Sequence, residues 1–163
     1  FANITFLAIP AILMANNSSN SIAISELIGV GLWATWFVLE HISDLQKQQF
    51  LKKAFLEKKK KQVCNVGFWK YTRHPNYFSE WMVWNAMIIS SLSSLVIAFS
   101  TDQQLVWIII CLGLFYISYI MYTTLVYYTG AVPSEFYTLQ KRPNYKAYQE
   151  QTNMFFPGPK KLN

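Results

Sequence analysis

Residues 81–134 read WMVWNAMIISSLSSLVIAFSTDQQLVWIIICLGLFYISYIMYTTLVYYTGAVPS, and Asp102 is the single charged residue among them. Two apolar segments therefore follow one another, joined by the short turn Ser100-Thr101-Asp102-Gln103. Crossing a bilayer takes about 20 residues. The first segment spans 81–101. The second predicts a helix from Leu105 to Tyr128, about 36 Å long at 1.5 Å per residue, with Gly130 and Pro133 ending it. Both flanks of the pair are basic. All 14 Lys and Arg residues lie in two stretches, Lys47 to Arg73 and Lys141 to Lys161. A chain that crosses twice between them returns to the same face, and excess Lys and Arg mark the cytosolic or matrix-like side. The fold expected is an all-α, multi-pass transmembrane helical bundle with interfacial helices, forming a single domain over residues 1–163.

Composition agrees. The chain is 53% hydrophobic and 17% aromatic, with 13% charged residues and a net charge of +6. The positive charge reads as a collar that prefers anionic membrane lipid rather than nucleic acid. Cys64 and Cys111 fall at different expected depths, so no disulfide is predicted, and no metal-ligand spacing is present.

Upstream of the two spans, the apolar stretch Phe1 to Met14 is too short to cross a membrane and reads as the tail of a helix, with further helices expected before it. Asn16 to Asn20 form a loop on the face away from the lysines. Ser21 or Ser25 suits the cap of the next helix, with Glu26 in its first turn. That helix is expected to run to about Leu39 and to end at Glu40-His41. An amphipathic extension over 43–62 follows, lying in the interface. Lys58 to Lys61 read as a solvated charge run. Gly67 breaks the helix. Ser90, Ser91, Ser93 and Ser94 suit hydrogen bonds to i−4 carbonyls or close helix packing.

Polar groups collect where the basic face meets the apolar segments. Glu40 and Asp44 are one helical turn apart, beside His41. Tyr71, Arg73, His74, Asn76, Tyr77 and Glu80 follow in YTRHPNYFSE, where Pro75 favours an extended His74 and suits the first turn of a helix. Glu135, Lys141, Arg142, Tyr145 and Tyr148 stand in the tail. Arg73 is the natural phosphate fork, Asn76 offers a two-way amide contact, and His74 switches charge near neutral pH. Asp44, Asn76 and Arg142 are expected in one cavity. There is no GxGxxG, P-loop, HExxH or GxSxG.

These residues carry a resemblance. The run Gly67-Phe68-Trp69-Lys70-Tyr71-Thr72-Arg73-His74-Pro75-Asn76-Tyr77-Phe78-Ser79-Glu80-Trp81 resembles the signature of the DUF1295 family, in the steroid 5-alpha-reductase superfamily of membrane proteins. The stretch from Leu39 to Gln46 resembles that family's preceding helix end, and Arg142 to Tyr148 with Phe156-Pro157 its ending. The resemblance implies transmembrane helices with an NADPH site built by 40–80 and 135–160. It implies cofactor roles for Glu40, Asp44, Tyr71 and Asn76, and more loosely for Arg73, His74, Tyr77, Glu80, Glu135, Arg142, Tyr145 and Tyr148. The implied reaction is hydride delivery to a conjugated double bond of a lipid-like or steroid-like substrate, in the endoplasmic reticulum or the mitochondrial inner membrane. Ser79 stands where the family carries Gly, and Glu135 follows Pro133 by two residues where relatives space the acid by about three. The catalytic acid and tyrosine of steroid reductases come from earlier helices, so no catalytic residue is assigned. Two alternatives stand beside the reductase. One is a membrane methyltransferase using S-adenosylmethionine, since isoprenylcysteine carboxyl methyltransferases resemble the same scaffold. The other is a non-catalytic subunit, without cofactor, held by other membrane subunits of a larger complex.

Overall fold

A computed structural model describes residues 7–59, 61–99 and 101–161, and among them the chain is helical with no strand. The helices are α1 (Ile9–Ala15), α2 (Ile24–Leu56), α3 (Pro75–Ile97), α4 (Gln104–Thr123), α5 (Ala131–Lys141) and α6 (Tyr145–Gln151). Short 3-10 turns occupy Gly67–Lys70 and Thr101–Gln103, and a π-turn occupies Thr124–Tyr128. Of the expected helix tail at Phe1 to Met14, residues 1–6 lie outside the described residues, as do Lys60 of the lysine run and Ser100 of the turn.

Two helical stretches, Pro75–Ile97 and Gln104–Lys141, are long and apolar enough to cross a membrane. α2 does not join them. Its uncharged run, Leu27–Leu39 between Glu26 and Glu40, falls short of the roughly 20 residues a span needs. Nor does α2 stop at Glu40-His41, as the sequence suggested. It runs unbroken for 33 residues, because 40–56 holds no Gly or Pro to interrupt it. At its start Glu26 accepts the Ala23 N–H at 3.0 Å, the backward reach of a capping box. Pro133 is a second correction. It sits in the first turn of α5 rather than ending α4, a place where its missing N–H costs nothing. The π-turn and Gly130 do the ending. A Cβ at Gly130 would stand 1.8 Å from the Leu125 carbonyl oxygen.

The described residues form two compact units. The first holds the residues up to Trp36 together with Trp81–Tyr122. Its core is Leu13, Leu95, Leu114 and Ile117, with Trp84, Ile88 and Trp107 packed around them. Gly29 lets α2 approach α3 so closely that a Cβ would meet the Ser90 backbone nitrogen at 2.5 Å. Ser90 returns its hydroxyl to the Ala86 carbonyl at 3.1 Å, so the serines serve both expected purposes. Between α3 and α4, Trp81 Nε1 donates to the Ser118 carbonyl at 3.0 Å and the Ser118 hydroxyl donates to Asn85 Oδ1 at 2.8 Å.

The second unit is Phe37–Glu80 with Thr123–Asn163. Here α2 ends in a Schellman motif. Lys59 N–H donates to the Ala54 carbonyl at 2.8 Å and Lys58 N–H to that of Phe55 at 3.1 Å. The C′ position belongs to Lys58, at φ 58°, where glycine is the usual occupant. Gly67, at φ 52°, then turns the chain against Gln46, whose Oε1 accepts the Phe68 N–H at 2.9 Å. The Thr72 hydroxyl donates to the Phe155 carbonyl at 2.9 Å, and Arg73 N–H to that of Asn153 at 2.9 Å. Phe78 meets Phe155 and Phe156 edge-on. The 71–78 segment is thus zipped to the tail. Replacing Lys58 with glycine removes the left-handed strain, and K58G should raise unfolding stability by about 1 kcal/mol; an unchanged or lower Tm would contradict the cap geometry.

Candidate functional site

The residues read as a single site separate into three groups, all within the second unit. The first is a lock. Glu135, from α5, is buried and accepts Arg73 Nε at 2.7 Å and Arg73 Nη2 at 3.1 Å. It also accepts His74 Nε2 at 2.9 Å and Gln149 Nε2 at 2.5 Å. Arg73 spends its remaining nitrogen, Nη1, on the carbonyls of Gln149 (2.9 Å) and Thr152. The fork expected to face a phosphate is therefore consumed inside the protein. His74 is 3% exposed, and burial pushes its imidazole below the usual range although Glu135 pulls the other way. Against a carboxylate acceptor, Nε2 is the ring nitrogen that carries the proton of this hydrogen bond. Tyr148 gives its hydroxyl to the Trp69 carbonyl, and burial pushes that phenol up.

The second group surrounds a cavity of about 40 Å³. Lys47, Cys64, Arg142 and Tyr145 line it together with edges of the lock. Lys47 caps the Trp69 ring at 4.5 Å from its centroid. Burial pushes the Lys47 ammonium down, Cys64 and Asp44 raise it, and Arg142 lowers it again. Burial likewise pushes the Cys64 thiol and the Tyr145 phenol up. Cys64 and Cys111 are both free thiols. Lys47 and Cys64 were not singled out by the sequence. Lys47 stands one turn past Asp44, the signal that separates it from the lysines beyond.

The third group is acidic. Glu40 and Asp44 lie a turn apart on α2, and Asn76 and Glu80 a turn apart on α3. Burial first, then the charges of Glu80 and Asp44, push the Glu40 carboxyl up to about 7. Asn76 Oδ1 is buried and has no hydrogen-bond partner among the described residues. Tyr77 stacks on His74 at 5.4 Å, joining this group to the lock. Tyr71 is exposed, and its carbonyl accepts the Gly158 N–H at 3.0 Å. Of the three residues expected to share a cavity, Arg142 lines this one, and both Arg142 and Asp44 act on Lys47 through their charge. Among the described residues no His, Cys, Asp or Glu cluster could hold a metal ion.

Residues 2–152 match the family described as "Protein of unknown function (DUF1295)". The chain belongs to the DUF1295 family. No curated protein and no solved structure matches it. The matched range covers most of this DUF1295 protein, from α1 through the lock to the end of α6.

Two outcomes follow. Arg73→Ala or Glu135→Ala leaves a buried charge unpaired, and each should cost about 3–5 kcal/mol in denaturant unfolding; a loss under about 1 kcal/mol would mean the lock is not built as described. For Glu40, the folded carboxyl binds a proton more tightly than the unfolded one. The unfolding free energy therefore falls as pH rises between about 4.5 and 7, then levels off. Unfolding titrations should show this slope in the natural chain, and a Glu40→Gln variant should flatten it.

Proposed function

We propose that this DUF1295 protein is the cofactor-binding core of an integral membrane reductase, multi-pass and set in the endoplasmic reticulum or mitochondrial inner membrane. It would use NADPH to reduce a conjugated carbon–carbon double bond of a lipid-like substrate. The observation that carries this reading is the buried, unpartnered Oδ1 of Asn76. An orphaned buried acceptor costs about 1–3 kcal/mol, and a ligand donor repays it. A nicotinamide carboxamide presents such an N–H, and the sequence resemblance implies a cofactor role for Asn76, which supports the reading.

The residues present fit the group in chemical type. Asn76 would accept the carboxamide N–H. Lys47 and Arg142 offer the positive charge that phosphates require, replacing Arg73 in that role. Glu40, protonated across part of the neutral range, offers a donor as well as an acceptor. NADPH, when bound, supplies the hydride. The lock fixes the loop that leads into α3, which bears Asn76, to the tail segments around Arg142, so both would present one geometry to a ligand. No residue of this chain is assigned to protonating the substrate.

One observation favours a second reading, a non-catalytic subunit of a larger membrane complex. The cationic cavity, at about 40 Å³, is far below the roughly 300–1,000 Å³ typical of ligand pockets. A thermal-shift titration separates the readings. NADPH at a hundredfold excess over its Kd should stabilise the purified protein by about 2.7 kcal/mol. Asn76→Leu removes the orphaned acceptor, so it should keep or raise the apo Tm while weakening NADPH binding about tenfold, a loss on the scale of a buried hydrogen bond. No shift with NADPH would favour the subunit, and a shift with S-adenosylmethionine alone would favour a methyltransferase.

A further inference from the structure

Outside the three groups, the basic hairpin between α2 and the Gly67 turn carries a trough. Three depressions of about 640, 450 and 400 Å³ adjoin one another, and Gln62 lines all of them. Lys53 and Lys59 line the first, and Lys58, Lys59 and Lys61 the third. The one carboxylate in these linings is Glu57, 3.1 Å from Lys59 and 3.9 Å from Lys53. Of the run read from sequence as solvated, Lys58, Lys59 and Lys61 therefore line a concave surface with excess positive charge. Phe50 lies between the first and second depressions. In the second, Asn65 Oδ1 is buried and has no hydrogen-bond partner among the described residues.

Lys58 adds an independent observation. It holds the left-handed C′ position that glycine would occupy without strain. A strained residue at the lip of a cavity points to a use for its side chain. A ligand matching these features brings negative charge for the lysines, a hydroxyl donor for Asn65 and an apolar portion for Phe50. We propose that this trough binds a phosphate ester of a polyol, the headgroup chemistry of an anionic, hydroxyl-bearing glycerophospholipid. It differs from the diffuse attraction of a basic collar for anionic lipid in holding one headgroup and in depending on Asn65. The inference does not rest on the reductase reading, since none of these residues belongs to the NADPH groups.

Native mass spectrometry of the detergent-purified chain with added phosphatidylglycerol provides the test. One lipid should be retained at saturation, in preference to phosphatidic acid, which lacks the free hydroxyls. Lys58→Gly should weaken that binding about fivefold, the share of one lysine near an anionic headgroup, while raising Tm, so misfolding cannot explain the loss. Asn65→Leu should erase the preference over phosphatidic acid. Lys70→Gln, an equal charge change at an exposed lysine outside these linings, should leave binding within twofold. Glycerol 1-phosphate identifies the source of the chemistry. Displacement of the lipid by it at equal concentration assigns a soluble phosphate ester, and failure to displace assigns the lipid. Unsaturable lipid uptake, or an equal loss in Lys70→Gln, would overturn the site.

Discussion

Everything at the basic end of the second unit depends on one buried carboxylate, that of Glu135. It accepts two donors from Arg73, one from His74 and one from Gln149. A buried ion pair is favourable only when its remaining hydrogen-bonding capacity is filled, and this one is. Glu135 stands on α5 and its partners come from the loop before α3 and from α6, so a single group ties three segments distant in sequence. The neighbouring contacts of Thr72 and Tyr148 repeat the tie with neutral bonds.

That lock decides what the rest of the face can do. Arg73, His74 and Tyr148 are engaged with the protein itself. The chemistry left to a ligand is the positive charge of Lys47 and Arg142, the carboxylates around Glu40 and the unsatisfied Asn76. Of those groups, Asn76 and Arg142 adjoin segments that the lock holds together, while Lys47 and Glu40 stand on α2, which the Trp69 Nε1 bond to the Ser43 carbonyl joins to the loop; a surface gains rigidity from such structure behind it.

Much of the fold was legible because its signals are local. Pro75 at a helix start, Gly67 at a break and the uncharged runs around Asp102 each follow from backbone chemistry or from the cost of charge in hydrocarbon. The continuity of α2 was missed because Glu40-His41 was read as a stop, although charge alone does not end a helix. Pro133 was misread because proline after a glycine fits a helix end and a helix beginning equally well. The sequence offers these polar residues as types, but not which of them meet. Arg73 meets Glu135 across 62 positions and the Thr152 carbonyl across 79, and no periodicity encodes such a pairing. Lys47 escaped notice because it was counted with the lysine-rich stretch, where only its spacing from Asp44 marks it.

The central claim is that Arg73 builds the site while Asn76, with Lys47 and Arg142, receives a dinucleotide. An experimental structure of the purified protein in membrane-mimetic discs at saturating NADPH tests it most directly. The account predicts a nicotinamide carboxamide within hydrogen-bonding distance of Asn76, with Arg73 still paired to Glu135. A nucleotide phosphate held by Arg73, or a nucleotide-free Asn76 at saturation, would contradict it.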